Sequence, residues 1–143
     1  MCTGRIGVEV SSIKVSFVVC TYSKELFQDT LVCIDSLVKQ DYADKEILLV
    51  MDENIELYNM FASSLPYSVK IIQSPNPGLS AARNLGIINA SGDIIVFIDD
   101  DAKADTNYIQ ALLKNYDDRD VAGVTGKIFP MTKPNYPEEL YWI

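Results

Sequence analysis

Three consecutive aspartates, Asp99-Asp100-Asp101, close an unbroken apolar run, Ile94-Ile95-Val96-Phe97-Ile98. Asp99 and Asp101 straddle one residue. Where such a segment bends, alternate carboxylates reach one ion, and an all-oxygen pair suits a divalent cation bridging a diphosphate. Arg83 lies early in the helical stretch before that run, and its rigid fork of donors matches phosphate oxygens. Just ahead of it, Pro77-Gly78 lets backbone come close to a ligand. Asp52-Glu53 ends a second apolar run; a carboxylate there accepts from an imide N–H, and the ring of Tyr22 offers a face on which a base stacks. Together these residues describe a site for a metal-bound nucleoside diphosphate.

Composition narrows the chemistry. The chain has 143 residues, 48% of them hydrophobic, which fits one domain with a real core. Its 20 acids against 12 bases give a net charge of −8 and leave no basic stripe, so nucleic acid is not an expected partner. An anionic ligand stays open, because one arginine, a helix N-terminus and a metal ion offset charge locally. There is no histidine. That removes Ser-His-Asp and Cys-His catalysis and His-ligated zinc, and restricts any metal to oxygen donors: Mg2+, Mn2+ or Ca2+. Cys2, Cys20 and Cys33 are an odd count without C-x-x-C spacing and read as free thiols in a reducing compartment. No apolar run approaches the ~20 residues that span a bilayer, and the first residues lack a signal-peptide pattern. The expected compartment is cytoplasmic.

The elements that must position these groups alternate. Residues 1–12 are unperiodic and read as a disordered arm or tag remnant. Ile13–Cys20 is a β-branched first strand ending at Thr21-Tyr22-Ser23, with Ser23 as a cap for a helix over 24–40. Glu46–Met51 is a second strand, 55–65 a helix closed by Pro66, and Val69–Gln73 a third strand. A helix over 79–90, with Ser80 as its cap, precedes the fourth strand over 93–98. Asp105 or Thr106 caps a further helix to about Tyr116, Asp117–Asp120 is a charged turn, and Val121–Phe129 reads as a fifth strand broken by Gly123 and Gly126. This order predicts an α/β domain: a Rossmann-like, mostly parallel sheet with helices on both faces. Parallel strands share one C-terminal edge, so Thr21-Tyr22, Asp52-Glu53 and Asp99–Asp101 are expected in one cleft.

Three segments carry a family resemblance. VSFVVCTYS, EILLVMDEN and, most specifically, NPGLSAARNLGIINASGDIIVFIDDDA resemble the N-terminal, nucleotide-binding half of family 2 glycosyltransferases, which have the GT-A fold. The likeness covers about residues 13–129, with the start of an acceptor-side region at 130–143. It implies inverting transfer of a sugar from a UDP- or GDP-sugar to an acceptor glycan or lipid-linked sugar, with Mg2+ or Mn2+. By the same resemblance Thr21, Tyr22 and Glu53 lie near the base, with Asp52 beside them. Arg83 lies near the diphosphate, Asp99 and Asp100 near ribose and phosphate, and Asp101 is the direct metal ligand, with Asp99 as the second. Glu53 stands where the family more often has Asp, and Cys20 where Pro is common. The Pro-Glu-Glu-Leu-Tyr-Trp tail is similar to archaeal-type members that build lipid-linked glycans, which implies membrane association through a further C-terminal region.

An inverting displacement needs a carboxylate to take the acceptor's proton. In the family that acid lies well downstream of the D-x-D motif. The tail here, PMTKPNYPEELYWI, offers Glu138 and Glu139 and stops on Trp142-Ile143 without a cap. The expectation is a donor-binding part cut from a longer enzyme and lacking the base. Taken singly, each feature has a plainer reading: the acid triplet as a solvated strand end, Asp52-Glu53 as a turn, Tyr22 as packing. Three other functions were weighed. A phosphotransfer hydrolase would carry its D-x-D on the first strand. A nucleotidyltransferase would want a glycine-rich loop where this chain has CTYSKEL. A noncatalytic nucleotide-binding or docking module stays open.

Overall fold

The structure, a computed structural model, describes residues 13–118 and 120–130. The readings made for residues 1–12, Arg119 and 131–143, with Glu138 and Glu139 among them, lie outside the described residues. Four strands form one sheet: β1 (Val15–Thr21), β2 (Lys45–Asp52), β3 (Val69–Ser74) and β4 (Ile94–Asp99). They alternate with helices α1 (Phe27–Val38), α2 (Ile55–Ser64) and α3 (Leu79–Asn89), and α4 (Tyr108–Leu113) follows β4. All pairings are parallel and the strand order is β3-β2-β1-β4.

A strand buried on both faces reads as a continuous apolar run instead of an alternating one. β1 and β2 satisfy this, with nearly every residue out of water. Successive side chains still leave on opposite faces. Phe17 and Val19 pack with Cys33, Ile34 and Leu37 of α1, Leu57 and Phe61 of α2, and Ile109 of α4. Val18 and Val50 pack on the other face against Ala82 of α3. The α/β sheet with helices on both faces is therefore as the sequence implies.

Element ends differ in detail. α3 starts at Leu79, with Gly78 and not Ser80 at the cap position. Ser23 accepts from the Glu25 N–H in a turn ahead of α1 instead of capping it. Asp105 accepts from the Asn107 N–H, and α4 is only a short helix continued by a 3-10 turn, Lys114–Asp117. Val121–Phe129 is not a strand; residues 121–130 carry no regular structure. β4 pairs only with β1 among the described residues. The segment docks through Val124 and through Gly126, which lies close against the Tyr108 ring, and leaves Ile128 and Phe129 exposed.

Two contacts fix the sheet against its helices. A Cβ on Gly86 would lie 2.4 Å from Val18 Cγ1, so α3 approaches β1 closely only because position 86 has no side chain. At the N-terminal edge, Ser16 Oγ donates to Glu46 Oε1 (2.5 Å) and accepts from the Gly92 N–H (2.8 Å). The Ser91 N–H and hydroxyl also donate to Glu46 (2.6 and 2.8 Å). Burial pushes the Glu46 carboxyl up, but these donors and Lys14 together outweigh it and hold it below its ordinary 4.5.

Gly86→Ala is expected to destabilise the domain by roughly 1–2 kcal/mol, overpacking outweighing the gain in helix propensity; urea unfolding measures it, and a gain in stability would show that α3 can shift. A depressed folded-state pKa contributes stability above the unfolded value that is lost as pH falls through the folded one. Glu46→Gln should therefore be less stable than wild type at pH 7. The gap should close as pH drops below about 4.5, followed by urea unfolding across pH.

Candidate functional site

The parallel ladder aligns the strand ends. Cys20 of β1 stands opposite Asp99 of β4, and Asp52 of β2 opposite Ser74 of β3. The Cys20 thiol registers what surrounds it. Its pKa is pushed up to about 11, first by burial and then by the carboxylates of Asp100, Asp99 and Asp52, with Arg83 opposing. The fold thus gathers Asp52, Arg83, Asp99 and Asp100 around one residue.

The acid triplet sits on a turn. The Ala102 N–H donates to the Asp99 carbonyl at 3.0 Å, which bends the chain between them. The Asp99 side chain is 73% exposed, and its Oδ1 lies 3.4 Å from Arg83 Nη2, a long, solvent-screened ion pair. The Arg83 guanidinium also rests over the Phe97 ring, 5.6 Å from its centre. Asp100 is partly buried. Burial, then the charges of Asp101 and Asp99, push its carboxyl above the ordinary 3.8, against the hydroxyl of Thr21 and its own N–H. Its Oδ2 is out of water with no hydrogen-bond partner. Asp101 is exposed.

The other side of the edge is made by the loop into α3. Gly78 has φ +107°, a conformation that side chains rarely adopt, and its N–H donates to Asp52 Oδ1 at 3.2 Å. No side chain caps α3. Its first N–H groups are thus left for solvent or an anion, and the helix dipole favours the latter. Tyr22, 72% exposed, and Glu53, exposed, lie at the same edge, but neither bonds the acid group among the described residues. Thr21 is buried beneath Asp100.

One cavity, of about 210 Å3, lies away from these groups. It sits between β4 and α4, lined by residues such as Val96, Tyr108, Leu112 and Val124, and no charged side chain lines it. The acids and Arg83 lie at the open edge instead.

An all-oxygen donor set fits a hard divalent cation. Among the described residues no three acids or thiols are arranged to hold an ion unaided. Such a site suits Mg2+ or Mn2+, which keep water and take substrate phosphates as ligands.

The sequence marks Cys33 only as one of three free thiols. In the structure its Sγ donates to the Asp99 carbonyl (3.4 Å), and burial, then Asp100, Asp101 and Asp99, push its pKa up to about 12. A buried cysteine at helical spacing carries no signal of that contact.

The chain belongs to glycosyl transferase family 2, whose model matches residues 16–142. It is similar to the glucosyl-dolichyl phosphate glucuronosyltransferase of Haloferax volcanii, with 32% identity over 139 residues, 92% of this chain and 44% of that protein. Its fold is similar to that of S. aureus TarS 1-349, with a TM-score of 0.58 and 21% identity, over 82% of this chain and 40% of that one. TarS 1-349 has also been solved with UDP and with UDP-GlcNAc. The mannosyltransferase PcManGT of Pyrobaculum calidifontis, in complex with GDP-Man and Mn2+, matches with a TM-score of 0.54 and 22% identity, over 66% of this chain and 30% of its own. At these identities the structures establish the fold, a GT-A-like α/β sheet. The chain spans less than half the length of these relatives.

The exposed Arg83–Asp99 pair contributes little to folding. Arg83→Met should change the unfolding free energy by no more than about 1 kcal/mol. A loss well beyond that in urea unfolding would mark Arg83 as structural instead of free to meet a ligand.

Proposed function

We propose that this chain is the donor-binding part of an inverting glycosyltransferase, holding a metal-bound nucleoside-diphosphate sugar at the C-terminal edge of its sheet. The observation that carries the reading is the convergence there of the Asp99–Asp101 turn, Arg83 and the uncapped start of α3. Three adjacent carboxylates with one cation among them make a poor structural device. Asp100 is held partly out of water with an oxygen unsatisfied, and Asp99 and Asp101 face solvent. A divalent cation supplies the missing positive charge.

In this reading Asp101, with Asp99, would hold Mg2+ or Mn2+. Bound there, the ion would offset the charge that builds on the diphosphate as its bond to the sugar breaks. Arg83 donates to phosphate oxygens from its fork, and the N–H groups at the start of α3 face the same anion. Asp52 and Glu53 accept from base and ribose. The Tyr22 ring, already exposed, stacks on the base, above buried Thr21. The acceptor hydroxyl attacks the anomeric carbon opposite the leaving diphosphate and gives its proton to a carboxylate; no described residue is assigned that role. The ligands in the related structures, UDP, UDP-GlcNAc and GDP-Man with Mn2+, support a nucleotide-sugar donor. The sugar chosen and the acceptor, a glycan or lipid-linked sugar, belong to the whole protein. Among the described residues no helix is long and apolar enough to cross a membrane.

Calorimetry with UDP and GDP, with and without Mn2+, tests the reading. Mn2+ should strongly tighten the binding of one of them. Asp101→Ala should weaken that binding at least tenfold without shifting the melting temperature, as loss of a metal contact does. Folded wild-type protein that binds neither nucleotide in Mn2+ would overturn the assignment.

A further inference from the structure

Helix α1 lies under the acid triplet, and its sheet-facing side is not wholly apolar. Cys33, Ser36 and Gln40, spaced at three and four residues, are buried at 0%, 6% and 4% exposure. Such spacing places them along one line of the helix and just past its end. Each bonds the backbone of the chain that leaves β4. Cys33 Sγ donates to the Asp99 carbonyl (3.4 Å). Ser36 Oγ accepts from the Ala104 N–H (3.0 Å) and donates to the Cys33 carbonyl (2.6 Å). Gln40 Nε2 donates to the Asp105 carbonyl (2.6 Å), and its Oε1 accepts from the Ile109 N–H (3.2 Å).

The order of contacts matches on the two partners: 33 with 99, 36 with 104, 40 with 105 and 109. Between Asp101 and Tyr108 there is neither strand nor helix, so no regular ladder fixes that stretch. Its backbone groups must find partners elsewhere, and α1 provides them. A buried polar row of this kind, with its members satisfied, specifies one geometry where a greasy contact would allow several.

We propose that Cys33, Ser36 and Gln40 are positioning residues: a polar row on α1 that sets the course of the Asp99–Asp105 segment and, through it, the stance of Asp99 and Asp101 toward a metal-bound diphosphate. The effect on ligand rests on the donor-site reading above; the effect on the segment does not.

The test compares wild type, Ser36→Ala, Ser36→Thr and the remote core variant Phe61→Leu. Calorimetry with UDP and GDP measures affinity with and without Mn2+, and amide hydrogen exchange follows the free protein. In Ser36→Ala the gain in affinity given by Mn2+ should fall about tenfold or more, in the range seen when supports of a metal ligand are removed. Metal-free affinity should hold, and exchange should quicken over residues 100–109 but not in β1 or β2. Ser36→Thr, which keeps the hydroxyl, should recover most of the loss. Phe61→Leu should lower stability and leave the Mn2+ gain intact. Equal loss with and without metal, or no loss, would overturn the proposal. If wild type binds no nucleotide, the donor-site reading falls and exchange alone decides. Acceleration confined to 100–109 then supports the positioning row, and uniform acceleration or none overturns it.

Discussion

The parallel pairing of β1 with both β2 and β4 is the constraint on which the rest depends. A parallel strand must be covered on both faces, which forces the helices onto both sides. It also sends every strand's C-terminus to the same edge. Residues that are far apart in sequence, Thr21, Asp52 and Asp99, therefore become neighbours with no specific attraction between them. The core delivers the site as a by-product of its own topology, and that is why loops on such an edge can carry chemistry.

What collects at that edge is electrostatically unbalanced. Among the described residues, Asp52, Asp99, Asp100 and Asp101 gather near Arg83, whose ion pair with Asp99 is long and wet. The half-buried Cys20 and buried Cys33 thiols beside them are pushed up to about 11 and about 12, burial leading and the carboxylates adding, with Arg83 opposing at Cys20. At the opposite edge Glu46 shows what the fold does with an acid that serves stability. It is ringed by donors and held ionised. The contrast between the two ends of one sheet is between a carboxylate ringed by donors and carboxylates crowded together with few of them.

Much of this was legible because burial on both faces leaves a plain mark. The run Ile94–Ile98 marked a strand and put the acids at its end, although β4 lies at the edge of the described sheet with only Val96 buried. Arg83 was legible through its place ahead of that strand. The polar row on α1 was not. A serine, a cysteine and a glutamine scattered in a helix look like tolerated substitutions, and their partners are backbone groups some 65 residues away, which have no sequence signature. Val121–Phe129 misled for the opposite reason: its residues favour a strand, but two glycines interrupt it and, among the described residues, it does not take up the free edge of β4. Cap positions slipped because Gly78, with its positive φ, starts α3 where a serine nearby suggested a side-chain cap.

The close contact at Gly86 has a consequence beyond packing. Gly86 lies one turn along α3 from Arg83, and Val18 lies two residues before Cys20, which pairs with Asp99. Helix and strand meet there across the Val18 side chain, with none from position 86 to hold them further apart. The close approach sets how near α3 stands to β1 and, through the Cys20–Asp99 pairing, to β4. A larger residue at 86 would push the helix that bears Arg83 away from the strand beside Asp99.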